Sequence, residues 1–237
     1  MPFTFSHPAA VLPFGAVFRR NLSLTGLVIG SMVPDFEYFI RMNMLSAVSH
    51  TWQGFVWFDL PLGFVLFIIY EFFVKDKLIA RLPAGLNRRF YSFRGYRVHY
   101  TLGYLIAIVF SVALGAASHI LWDGFTHPSG TFVHRIPYLR HLVRIHGHRF
   151  YIFTLLQYGS TVVGGLIVLA SCLFLRKGEL TRVKNATGYW LQILLVVVVV
   201  FAIKLATGMP LHQYVTVIIT LIAGTFLGLL VASLLAE

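Results

Sequence analysis

The segment "SHILWDGFTH" sets His119, Asp123 and His127 four residues apart. Four residues make about one helical turn, so the three side chains lean over one face. Imidazole nitrogen and carboxylate oxygen are the usual ligands of zinc and its neighbours. Spacing at i and i+4 lets one helix give two ligands to one ion, as in H-E-x-x-H zinc helices. Taken alone, the same residues could be the polar end of an apolar helix. More metal-capable groups lie in the first fifty residues: His7 in "FSHPAA", Asp35 and Glu37 in "GSMVPDFEYF", and His50 in "VSHTWQGF". A charge held at membrane depth costs roughly 2.5–3.5 kcal/mol, less near the interface, and a shared divalent cation offsets that cost. If zinc is the ion, ligands at about 2.0–2.2 Å from it lie about 3–4 Å from one another. The remaining histidines read otherwise. His134, His141, His146 and His148 alternate with arginines in a basic amphipathic stretch, while His99 and His212 sit at helix ends.

The elements that must position these groups belong to a membrane chain. Of 237 residues, 58% are hydrophobic and 11% charged, with a mean hydropathy of +0.80; soluble domains carry about 25% charged residues. About twenty apolar residues span a bilayer. Segments near 99–121, 151–175, 187–206 and 212–235 reach that length, and 55–74 is a fifth despite Asp59 and Pro61. The valine run 196–200 should be helical, because lipid forces a spanning segment to satisfy its own backbone. The expected fold class is all-α: a polytopic transmembrane helix bundle of about five spanning helices, with two short N-terminal helices at one interface. Ser6 is a natural N-cap with Pro8 in the first turn, and Pro34 should end the second short helix. The chain reads as one integral membrane domain over 1–237. Its segments are 1–54 with N-terminal ligands, 55–175 with the core spans and the His-x-x-x-Asp helix, and 187–235 with two final spans. No internal repeat is visible. The N-terminus does not read as a cleaved signal peptide, and Cys172, the single cysteine, reads as a small buried hydrophobe.

The formal charge is +11. In a membrane chain the partner for that charge is anionic lipid headgroups at the basic loops, not nucleic acid. Five spans put loops 75–97 and 176–186 on one side, with eleven of the nineteen Lys and Arg. The positive-inside rule makes that side cytoplasmic. Residues 1–54 and 122–150 then share the extracytoplasmic side, where the N-terminal groups can meet the end of the His119 helix. The expected location is a bacterial inner membrane.

"MPFTFSHPAA", "GSMVPDFEYF", "SHTWQGF" and "SHILWDGFTH", with Gln157 and Ser160 in "TLLQYGSTVVGG", resemble the membrane proteins grouped as domain of unknown function 4184, over roughly residues 1–165. That family carries no established activity. More distantly, the order His, Pro-Asp, His-Thr, His-x-x-x-Asp is similar to membrane-bound metal-dependent hydrolases and to the zinc-dependent phospholipase C fold. The resemblance implies His7, Asp35, His50, His119, Asp123 and His127 as metal ligands. It also implies Asp123 and Glu37 as catalytic carboxylates, Glu37 as an outer or base group. The N-terminal amino ligand and the later His and Glu of the phospholipases have no placed counterpart here, so it implies one or two ions, most simply zinc.

Two functions follow as expectations. One is a metal-dependent hydrolase at the bilayer surface, acting on a phospholipid or lipid-linked phosphate ester, with the Arg-rich 135–149 stretch holding phosphate. The other is a non-catalytic scaffold or small transporter whose His/Asp site is structural or binds metal as cargo. The absence of repeats and of paired charges deep in a span ranks the transporter lower.

Overall fold

A computed structural model describes residues 3–18, 21–95, 101–181, 183 and 185–236. Of the basic positions counted above, Arg19, Arg20, Arg97, Arg182 and Lys184 lie outside the described residues, as does His99.

The helices in chain order are α1 (Pro8–Val17), α2 (Leu24–Gly30) and α3 (Phe36–Arg41), then a long α4 (Trp52–Arg81) and α5 (Ala84–Phe90). They continue with α6 (Leu102–Thr126), α7 (Thr131–Arg135), α8 (Ile152–Leu173), α9 (Ala186–Ala206) and α10 (Tyr214–Leu235). Five helical runs are long and apolar enough to cross a membrane: α4, α6 continuing to Arg135, α8, α9 and α10. The all-α membrane bundle is the observed class, and the chain is an integral membrane protein. The valine run lies inside α9, as lipid requires. Two features go beyond the sequence reading. Helix α4 contains two π-helical turns, Phe55–Asp59 and Ile69–Val74. The basic stretch after α7 holds a hairpin, β1 (Leu142–Ile145) paired antiparallel with β2 (His148–Tyr151). Its two-residue turn, His146 and Gly147, has positive φ at both positions, 47° and 85°. That is the backbone twist a tight hairpin needs.

Internal contacts divide the chain into two compact units interleaved in sequence. One comprises 1–34, 50–64 and 100–171; the other comprises 35–49, 65–99 and 172–237. In the second unit, α9 and α10 pack along small residues. A Cβ at Gly228 would meet the Ile193 carbonyl at 3.0 Å, and the Tyr189 and Ser233 hydroxyls are bonded at 2.9 Å. Asn87, buried in α5, donates to the carbonyls of Ile79, Ala80 and Thr181 and accepts from the Thr181 N–H.

In the first unit, the packing that positions the candidate ligands is α2 against α6. A Cβ at Gly30 would stand 2.3 Å from the Val112 carbonyl oxygen, and one at Gly115 would stand 2.4 Å from that of Leu27. The two backbones touch, and only glycine permits this. Ser23 caps α2 by accepting from Gly26 N–H, and its own N–H donates to Ser111 Oγ of α6. Ser6 does not cap α1 as expected. Its hydroxyl donates to the Thr161 carbonyl of α8 at 2.8 Å, where Gly164 lets the backbones approach, and His7 occupies the cap position.

Gly115→Ala should therefore force α2 off α6 and cost roughly 1–3 kcal/mol, read as lower thermal stability in detergent. Gly103→Ala, on the same helix with nothing within 4 Å, should change stability little. Equal tolerance at both positions would contradict the close approach.

Candidate metal centre

Helix α6 begins at a capping Thr101, whose hydroxyl accepts from Tyr104 N–H, and runs unbroken to Thr126. His119 and Asp123 therefore sit one turn apart on one face, and both are buried. His127 closes the helix, its N–H bonded to the Asp123 carbonyl at 3.0 Å. The expected convergence within this unit is present. Asp123 Oδ2 lies 3.4 Å from His119 Nε2, 3.4 Å from His127 Nδ1 and 3.5 Å from His50 Nε2. Its other oxygen, Oδ1, lies 3.6 Å from His7 Nε2.

These separations carry chemical information. A charge-assisted N–H···O hydrogen bond spans about 2.7–2.9 Å. Ligand atoms sharing a tetrahedral zinc at about 2.0–2.1 Å lie about 3.3–3.4 Å apart. The observed contacts match the second figure. His50, His119 and Asp123 each offer a ligand atom within 4.8 Å of the others, a grouping that could hold a metal ion.

The tautomer of His119 sharpens the point. Its Nδ1 lies 2.7 Å from the Ser31 carbonyl oxygen. A carbonyl only accepts, so Nδ1 carries hydrogen and donates. When the ring is neutral, Nε2 presents a lone pair to a carboxylate oxygen. Two electron-rich atoms face each other, as ligands do around a shared cation. A metal-bound histidine characteristically donates its other ring N–H to a backbone carbonyl or carboxylate, which fixes ring orientation. The contact exists because Ser31 follows Gly30, where α2 lies against α6.

Each partner ring is held by its own element. His7, buried at the head of α1, stacks on His119 with centroids 3.7 Å apart and planes 15° from parallel. His50 precedes Thr51, whose hydroxyl caps α4 by accepting from Gly54 N–H at 2.9 Å. His50 and His127 are about a quarter exposed, against near-complete burial of His7, His119 and Asp123. The cluster is thus closed on the His7–His119 side and open beside His50 and His127.

In the second unit, Asp35 directly follows Pro34, is fully buried and stands at the N-cap of α3 without making a side-chain cap bond. Glu37 occupies a cradle of its own. Its carboxylate accepts from the N–H groups of Ala47, Val48 and Ser49, from the Ser46 hydroxyl and from Arg41. Burial alone would raise its pKa, but the bonds from Ser49, Ala47 and Val48 outweigh burial and lower it to about 2. A carboxylate held there is a poor proton acceptor at neutral pH. Its visible work is to fix the loop that leads into His50. Sequence reading missed this, and the clue was a buried-type acid followed by the polar run "SAVS". Among the described residues, none of His134, His141, His146 or His148 joins the metal-capable group.

The chain belongs to the family described as domain of unknown function (DUF4184), whose model matches residues 1–234. No curated protein and no solved structure matches it.

Glu37→Gln should loosen the 46–49 turn, since hydrogen bonds to a charged group contribute about 1.5–3 kcal/mol. Amide exchange at Ala47, Val48 and Ser49 should quicken by roughly 10- to 100-fold, while α6 exchange stays constant. Unchanged exchange in the turn would refute the cradle.

Proposed function

We propose that this protein is a membrane-bound metal-dependent hydrolase acting at the bilayer surface on a phospholipid or lipid-linked phosphate ester. The observation that carries the reading is the set of four imidazole nitrogens 3.4–3.6 Å from one buried carboxylate. His119, Asp123, His50, His7 and His127 would hold the metal. Asp35, which is buried, is a candidate ligand on the family resemblance alone. Zinc suits this donor set. The imidazoles divide between two carboxylate oxygens, which accommodates one or two ions.

A divalent cation supplies a water acidified toward neutrality and polarisation of a phosphoryl oxygen. The chain's own residues do the rest. Asp123 orients the imidazoles and offers its carboxylate beside the open edge. Glu37 shapes the loop before His50 as an outer group. Among the described residues, His50 and His127 form the partly exposed edge of the cluster, where a substrate headgroup would approach. Trp52 and Trp57, 82% and 81% exposed, follow His50 at the start of a spanning helix, and exposed tryptophan favours the membrane–water boundary. A site at that level meets lipid substrates by lateral diffusion. The positive charge of loops 75–97 and 176–186 supports a cytoplasmic side for them and an extracytoplasmic metal centre; a bacterial inner membrane is the proposed location. Anionic headgroups are the partners of those loops.

The test is to strip the purified full-length protein, reload it with Zn²⁺ or Mn²⁺, and measure bound metal together with phosphodiester hydrolysis. The reading expects stoichiometric metal that His119→Ala loses, and turnover that disappears with it. Absence of bound metal, or equal metal in His119→Ala, would sink it. Metal retained by the wild type without turnover on phosphoesters would favour the alternative, a non-catalytic scaffold or small transporter holding the ion as structure or cargo.

A further inference from the structure

We propose that the β1–β2 hairpin is a binding element for anionic phospholipid headgroups, with Arg144 and Arg149 gripping the lipid phosphate between them. The two arginines are direct cross-strand partners. Hydrogen-bonded and open pairs alternate along an antiparallel ladder. Ile152 N–H bonds the His141 carbonyl at 3.1 Å, making 141/152 a bonded pair. By alternation 144/149 is an open pair, the kind whose side chains stand closest, with Cα atoms about 4.5 Å apart. Both are exposed, as are Leu142 and Tyr151 on the same face; Val143 and Phe150 on the other face are half-buried.

Like charges directly opposite destabilise a strand pair, and two strands alone are marginal. The unit containing the hairpin offers no compensation from its own surface. Its sequence holds only two carboxylates, Asp59 and Asp123, and both are buried. A run of fifty-five residues, 124–178, contains no acid at all. Two guanidinium groups so placed suit a phosphate, whose oxygens they can pair bidentately.

Location commits the occupant to lipid. The hairpin lies in the connection between two membrane-spanning helices, α6 and α8, beyond the end of α6 that carries Asp123. Exposed Tyr138, Tyr151 and Leu142 accompany the arginines, a mixture of apolar and cationic groups suited to the headgroup layer. The inference does not rest on the hydrolase reading and stands if no metal binds.

The experiment is amide hydrogen exchange on the full-length protein in nanodiscs of phosphatidylcholine alone or with phosphatidylglycerol. Residues 142–151 should exchange several-fold more slowly in the anionic discs. Arg144→Gln/Arg149→Gln should remove that difference while α6 and α8 exchange as before, which shows that the variant folds. Equal hairpin exchange in both lipids, or lipid dependence that survives the double substitution, overturns the proposal. Inorganic phosphate that slows exchange as much in phosphatidylcholine discs as phosphatidylglycerol does would assign the site to free phosphate and overturn the lipid assignment.

Discussion

A carboxylate buried at the end of an apolar helix is the constraint around which the first unit is built. Asp123 is nearly inaccessible to solvent, and burying an isolated carboxylate is costly enough that it pairs, coordinates or neutralises. Hydrogen bonding from imidazoles would close the gaps to under 3 Å, and the gaps are 3.4–3.6 Å. With His119 donating to the Ser31 carbonyl through Nδ1, the Nε2 of a neutral ring turns its lone pair toward the carboxylate. A carboxylate and imidazoles at this spacing form a group that could hold a metal ion.

Three separate devices bring the groups together. Helical periodicity alone aligns His119, Asp123 and His127. Close glycine packing of α2 on α6 brings the Ser31 carbonyl to His119 and so sets the ring's orientation. Local capping serves His50, which directly precedes the Thr51 cap of α4. Sites held by helices and saturated loops keep their geometry better than sites on free loops.

Much of this was legible in the residues. The spans follow from length and hydropathy, and the ladder of ligands on α6 follows from its four-residue spacing. The convergence of His7 and His50 rested on the resemblance, because no local pattern says that residues roughly 70 to 120 positions apart will meet. Other features were hidden for physical reasons. The cap at Ser6 failed because a tertiary acceptor, the Thr161 carbonyl, competed for the hydroxyl. The hairpin was obscured by its charges, though His146-Gly147 is a relative of the Asn-Gly turn signal. The Glu37 cradle depends on backbone N–H groups ten to twelve residues away, and sequence does not display the direction in which a backbone amide points. The π-helical turns of α4 have no residue signature here.

The most direct measurement of the central claim is X-ray absorption at the metal edge of the purified full-length protein. The account predicts nitrogen and oxygen scatterers at about 2.0–2.1 Å, with the outer-shell pattern of several imidazoles. A spectrum of a hydrated ion without imidazole scattering, or a protein that carries no metal, would contradict it.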